Sequence, residues 1–115
     1  MIVPLSINTS PSGTELIISL IKALPAGKVA SYSQIAKAAG LINGARTVAR
    51  ILHSSSEKHG LPWWRIVRSN GEIALPEDSG GALQKELLLQ EGVVFRSLCT
   101  VDMALCGYYQ SPVAM

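Results

Sequence analysis

Between Ser31 and Leu52 two short helices are written almost end to end, and no other stretch restricts the fold as tightly. Ser31-Tyr32-Ser33-Gln34 has the spacing of a capping box, in which a serine hydroxyl and a glutamine side chain satisfy each other's backbone donors. Ile35, Ala36, Ala38 and Ala39 follow, and Gly40 supplies a stop. A second helix starts near Asn43-Gly44, with Asn43 as its cap, and runs through Ala45, Val48, Ala49 and Leu52. Only Leu41-Ile42 and that cap lie between them, a joint so short that the pair reads as helix-turn-helix.

The flanks predict a small domain around this motif. Ser12-Gly13-Thr14-Glu15 has capping-box spacing, and Leu16, Ile17, Leu20, Ile21 and Leu24 recur at helical period until Pro25-Ala26-Gly27. Arg65 to Val67 and Ile73 to Leu75 flank Ser69-Asn70-Gly71-Glu72, and Asn-Gly between apolar runs predicts a hairpin, here placed as a wing. The loop 77–81 feeds a fourth helix with Leu83, Leu87 and Leu88 inward and Gly92 as terminator, and Val93-Val94-Phe95 suggests a last strand. The expected fold is mainly α with a small β-hairpin, a winged-helix-like domain over residues 1–115 with its core at about 14–95 and the tail 96–115 unassigned. A chain of 115 residues has room for one core and no second domain.

Several function classes drop out. The longest apolar run, Leu16 to Leu24, is broken by Ser19 and Lys22, and the start "MIVPLSI" lacks a basic leader or cleavage site, so a soluble, cytoplasmic protein with no membrane role is expected. Cys99 and Cys106 lack the spacing and nearby histidines of a zinc site, so reduced thiols and no metal or cofactor are expected.

Charge is unevenly placed. Eight of the ten basic residues lie between Lys22 and Arg68 against the single acid Glu57, which leaves that segment at +7 and the rest at −5. Such separation makes one part of the molecule attractive to polyanions while the whole stays modestly charged. The second helix of the motif does not look like a base reader, because Gly44, Ala45 and Ala49 are small and only Arg46, Thr47 and Arg50 are polar. Small side chains suit close minor-groove or shape-based contact, although the same alanines also suit a core face.

Both tryptophans of the chain stand together in "LPWWRIV", behind Pro62 and before Arg65. With Val29-Ala30-Ser31-Tyr32, Ala45-Arg46, Pro62-x-x-Arg65-Ile66-Val67, Gly71, Ser79-Gly80-Gly81 and Glu91-Gly92, this stretch resembles the C-terminal, DNA-binding domain of O6-alkylguanine-DNA alkyltransferases. The similarity runs in order from about Thr14 to Gly92, with fourteen positions from Tyr32 to Arg46 and seventeen from Arg46 to Trp63. In those enzymes the motif is Pro-Cys-His-Arg and the cysteine takes the alkyl group; here Trp63 and Trp64 hold the cysteine and histidine positions. That replacement resembles the alkyltransferase-like proteins, the non-catalytic relatives.

The resemblance implies a role for each matching residue. Dealkylation needs a thiolate activated by a base, and an indole offers no comparable nucleophile, so no catalytic residue is expected. Glu91, the counterpart of the relay glutamate, becomes a structural hydrogen-bond partner, and Arg65 anchors its loop through backbone carbonyls. Arg46 matches the arginine that fills the hole left by an extruded nucleotide, with phosphate binding as the alternative; Tyr32 matches the tyrosine that rotates the nucleotide outward, with a core tyrosine as its rival. Ser31 and Gln34, at a helix start, are candidate phosphate donors, although capping alone explains both. Gly44, Ala45, Thr47 and Arg50 complete the expected DNA-binding helix.

Trp63 is expected to form an aromatic wall for the flipped base and its alkyl group, while Trp64 either lines that pocket or fills core space. Ser55 stands where the family has a hinge asparagine, and Pro76 where alkyltransferase-like proteins often have an arginine; Ser79, two residues displaced, is a further candidate for base contact. The implied function is a non-enzymatic monomer that binds O6-alkylguanine in double-stranded DNA and hands it to nucleotide excision repair proteins, nucleoid-associated when bound. A helix-turn-helix transcription regulator and a transferase using another cysteine are the rivals.

Overall fold

A computed structural model describes residues 13–109. Helix α1, Gly13–Lys22, carries Glu15 in its first turn and Lys22 in its last, each matched to the adjacent end of the helix dipole. It buries Ile17 and Ile21, and the chain leaves it through the buried Leu24 before Pro25. Ser12, expected in its capping box, lies outside the described residues. Strand β1, Ala30–Ser31, leads directly into α2, Tyr32–Ala38, and a four-turn helix α3, Ala45–His59, follows.

The helix-turn-helix is present, with one correction at its joint. The N-cap of α3 is Gly44 and makes no side-chain cap bond; Asn43 precedes it with a φ of 56°, a left-handed geometry that asparagine tolerates. Gly44 is buried, and a Cβ there would stand 2.7 Å from the Leu41 side chain, so only glycine lets the two helices approach this closely. The helix also continues past Leu52, so Ser55 sits within it and not in a hinge.

After α3 the chain makes a 3-10 turn at Trp63–Arg65 and then strand β2, Ile66–Val67. The expected wing is corrected here. The turn itself closes, with Arg68 N donating to Glu72 O at 2.9 Å and Gly71 N to Arg68 O at 2.8 Å, but β2 pairs in parallel with β1, not with residues 73–75. Glu72 instead bridges Thr100, and Ile73 N donates to Cys99 O at 3.0 Å. The small hairpin of this fold lies later, where β3 (Phe95–Ser97) and β4 (Thr100–Val101) pair antiparallel, starting at Phe95 and not at Val93.

A second 3-10 turn, Glu77–Ser79, feeds α4, Gly81–Gln90, and α5, Met103–Cys106, follows β4. On α4 the inward face is Gly81, Gln84 and Leu88; Leu83, expected inside, is 51% exposed. The tail through Tyr109, unassigned from sequence, closes the structure: Val29 N donates to Cys106 O at 2.9 Å and Tyr108 N to Val29 O at 2.8 Å.

The β1–β2 ladder is the seam between two apolar clusters. Side chains alternate across a strand, and here Ala30 and Ile66 enter the cluster built from α1, α2 and α3, while Val29 and Val67 enter the one containing Leu88, Val93, Val101 and Cys106. The seam fixes the segment just before β2, which carries both tryptophans, against the helix-turn-helix.

Candidate nucleic-acid interface and base cavity

The two faces of α3 are unlike. Val48 and Ile51 are buried in the first cluster, whereas Ala49, Leu52, His53 and Ser56, three or four residues apart, line a cavity of about 390 Å³. The size is that of a small-molecule site. Trp63 borders the same cavity, set there by buried Leu61 and Pro62 and by a bond of 2.8 Å from Trp63 N to Leu61 O. Leu75, Ser79, Leu83 and Gln84 form the other side. That side is tightly constructed: Gly80 has a φ of 114°, and a Cβ on Gly81 would collide with the carbonyl oxygens of Leu75 and Pro76.

Of the candidates from sequence, Trp63, Tyr32 and Ser79 meet at this cavity. Tyr32 opens α2 and is partly buried; that burial raises the pKa of its phenol, with Arg68 pulling the other way, so the hydroxyl stays protonated and able to donate at neutral pH. Of the two readings of Trp64, the structure shows the core one, and the residue does not line the cavity. Its ring meets Trp63 edge-on at 5.9 Å and packs against the second apolar cluster, and its Nε1 donates to Glu91 Oε2 at 2.8 Å.

Glu91, the C-cap of α4, is the hub of this anchor. Its carboxylate takes Arg65 Nη2 at 2.6 Å, Arg65 Nε at 3.0 Å and the Gly27 amide at 3.1 Å, while Arg65 Nη1 donates to Leu24 O at 2.8 Å. Burial alone would raise the Glu91 pKa, but the hydrogen bonds from Arg65, Gly27 and Trp64, with the Arg65 charge, outweigh it and hold the carboxyl below its ordinary value. Arg65 does reach a backbone carbonyl as expected, and its main partner is a carboxylate that sequence spacing did not join to it.

Ser31 and Gln34 form the capping box that was the alternative to phosphate contact. Gln34 N donates to Ser31 Oγ at 3.0 Å, Ser31 N donates to Gln34 Oε1 at 2.9 Å, and Gln34 Nε2 donates to Tyr109 O at 3.2 Å; Ser31 is only 1% exposed. Gly44 is buried at the start of α3. Arg46 and Arg50, one turn apart, are exposed on α3, with Ala45 and Thr47 partly exposed beside them, and Arg50 Nη2 donates to Thr47 Oγ1 at 3.4 Å. Neither cysteine borders the cavity: Cys106 is buried in the second cluster, and exposed Cys99 lies beside Leu98 and Lys85.

Sequence reasoning missed His53, Ser56, Leu75 and Gln84 as lining residues. The first two were within reach of helical spacing had α3 been extended beyond Leu52; nothing in the sequence marks Leu75 or Gln84.

Residues 14–93 match the family described as 6-O-methylguanine DNA methyltransferase, DNA binding domain. The chain belongs to that family. A DNA base-flipping protein of Vibrio parahaemolyticus is 40% identical over 79 residues, covering 67% of this chain and 76% of the relative. Alkyltransferase-like protein 1 of Schizosaccharomyces pombe is 39% identical over 72 residues, 61% of this chain and 66% of the relative. The structure of S. pombe Atl1 in complex with damaged DNA containing O6-carboxymethylguanine superimposes with a TM-score of 0.76 at 23% identity, over 85% of this chain and 95% of that one. The expected fold class and the likeness to alkyltransferase-like proteins are thereby borne out.

Proposed function

We propose that this chain is a non-enzymatic sensor of alkylated DNA, which draws O6-alkylguanine out of the duplex into the Trp63 cavity. The observation that carries the proposal is the cavity itself: it joins a partly buried indole and a tyrosine to the flank of α3, and none of the described residues lining it carries sulfur. Extruding a base forfeits stacking worth about a few kcal/mol, and an aromatic wall returns part of it. The apolar side chains of Leu52, Leu75 and Leu83 suit an alkyl group that water solvates poorly. Relatives named as base-flipping and alkyltransferase-like proteins support this reading.

In this scheme α3 approaches the minor groove, Arg46 enters the stack in place of the lost base, Tyr32 presses on the adjoining phosphate, and Arg50 holds the backbone. The chain acts as a cytoplasmic monomer and marks the lesion for nucleotide excision repair. No group transfer takes place in this reading: Trp63 stands at the family's acceptor position, and Trp64, whose indole N–H only donates and already does so to Glu91, cannot relay a proton.

Titration of matched duplexes carrying guanine or O6-methylguanine tests the proposal, with intact-mass measurement on the same mixtures. Tighter binding of the lesion with an unchanged protein mass is expected. Equal affinity for both duplexes would end the sensor reading, a methyl adduct on either cysteine would end the non-enzymatic one, and dependence on one undamaged sequence would favour a transcription regulator.

A further inference from the structure

The parallel ladder pairs Ala30 with Ile66 and Ser31 with Val67, and it ends where Tyr32 opens α2 and Arg68 leaves β2, so these two residues stand side by side. Neighbouring strands lie about 4.8 Å apart, which brings both side chains within reach of one ligand. Their closeness also shows in the chemistry, since the Arg68 charge acts on the Tyr32 phenol. The Tyr32 hydroxyl has no hydrogen-bond partner among the described residues. Arg68 has one ion pair among them, Nη1 to Glu72 Oε1 at 3.8 Å, between side chains 57% and 47% exposed. So long and exposed a pair contributes little, and a second anion displaces the carboxylate easily. The backbone beneath is fixed: Arg68 N donates to Glu72 O, and Val101 N to Gly71 O, both at 2.9 Å, which ties the turn to β4. A phenol and a guanidinium presented together on a fixed backbone suit an anion that accepts from both.

Resting on the function proposed above, we propose that Arg68 binds the backbone phosphate against which Tyr32 presses, so that one side chain from each end of the ladder clamps a single phosphodiester beside the extruded nucleotide. Glu72 holds the guanidinium in the free protein, and the phosphate takes its place with the same charge. The contact touches no base edge, so it adds affinity without reading the lesion. It extends the DNA footprint beyond α2 and α3 to the end of β2. The ladder thereby serves twice: it holds the Trp63 turn against the helix-turn-helix, and it sets the spacing of the two phosphate donors.

The test uses the full chain, and duplexes carrying guanine or O6-methylguanine are titrated over a range of salt concentrations. Arg68→Gln, at an exposed side chain outside both apolar clusters, should bind both duplexes roughly tenfold more weakly, with the slope of log affinity against log salt shallower by about one. Arg68→Lys should keep the slope. Replacing each linkage that flanks the lesion, in turn, by an uncharged methylphosphonate locates the contact. At one of the two, the replacement should weaken the unaltered protein roughly tenfold but Arg68→Gln about threefold or less. Unchanged affinity and slope in Arg68→Gln overturn the inference. So does an equal penalty in both proteins at both linkages, which leaves Arg68 acting through its long-range field, and so does a loss confined to the O6-methylguanine duplex, which makes Arg68 a reader of the lesion. The sensor reading fails separately, as equal affinity of the unaltered protein for guanine and O6-methylguanine, whereas the Arg68 slope is read on either duplex.

Discussion

Trp63 and Trp64, neighbours in sequence, separate into different jobs because a 3-10 turn sends them to different surroundings. Trp63 borders the cavity, while Trp64 packs inward and donates to Glu91. The cavity position of Trp63 was implied by the resemblance of its motif to the alkyltransferase one. The inward turn of Trp64 did not, because it depends on Glu91, distant in sequence and brought near only when α4 docks. A single thiol should therefore not restore chemistry. Trp63→Cys is expected to show no stoichiometric dealkylation within hours when incubated with O6-methylguanine duplexes, since Trp64 accepts no proton and the Glu91 carboxylate is already engaged. Rapid, complete methylation of that variant in an intact-mass time course would refute the account of why transfer is lost.

At the level of elements, what was legible was local. The α2 capping box formed with the partners that its spacing predicted, and the α2–α3 joint came within a residue of its expected place. The wing failed for a non-local reason: β2 finds its partner in β1, about 36 residues upstream, and no turn signal encodes a parallel pairing at that distance. Helix α4 misled in another way, because Leu83, Leu87, Leu88 and Leu89 surround it and hide its inward face, which belongs to Gln84 and Leu88. The contact that joins these elements is the Arg65–Glu91 pair, whose side chains are 15% and 14% exposed. Glu91→Gln should lower stability at pH 7 by about 1–3 kcal/mol, as a charged pair loses one partner but keeps an acceptor. A carboxyl with a depressed folded pKa contributes fully above its unfolded value of about 4.3, and that contribution fades as pH falls through the folded value. The gap between wild type and Glu91→Gln in denaturant midpoint should thus close on acidification below about pH 4. A gap that stays constant down to pH 3 would show that the charge contributes nothing.

For the whole molecule, the segment from Lys22 to Arg68 carries +7 and includes α2, α3 and the Trp63 turn, so the basic part of the chain supplies one side of the cavity. The tail that sequence left unassigned completes the second cluster through Val101 and Cys106 and holds β1 in place from the far side. Its elements are only two to four residues long, too short for a periodic signal, and their apolar residues acquire meaning only against Val29 and Val67. The arrangement places Trp63 at the edge of a basic helix-turn-helix, and the central claim of the proposed function is that damage is recognised in the cavity and not by the basic surface. The most direct measurement is the ratio of affinities for O6-methylguanine and guanine duplexes in the wild type and in Trp63→Ala. The account predicts a ratio well above one that falls by about fivefold or more in Trp63→Ala, a loss of about 1–3 kcal/mol of aromatic stacking, while affinity for undamaged DNA changes little. A ratio left intact by Trp63→Ala, or affinity lost equally for both duplexes, would contradict it.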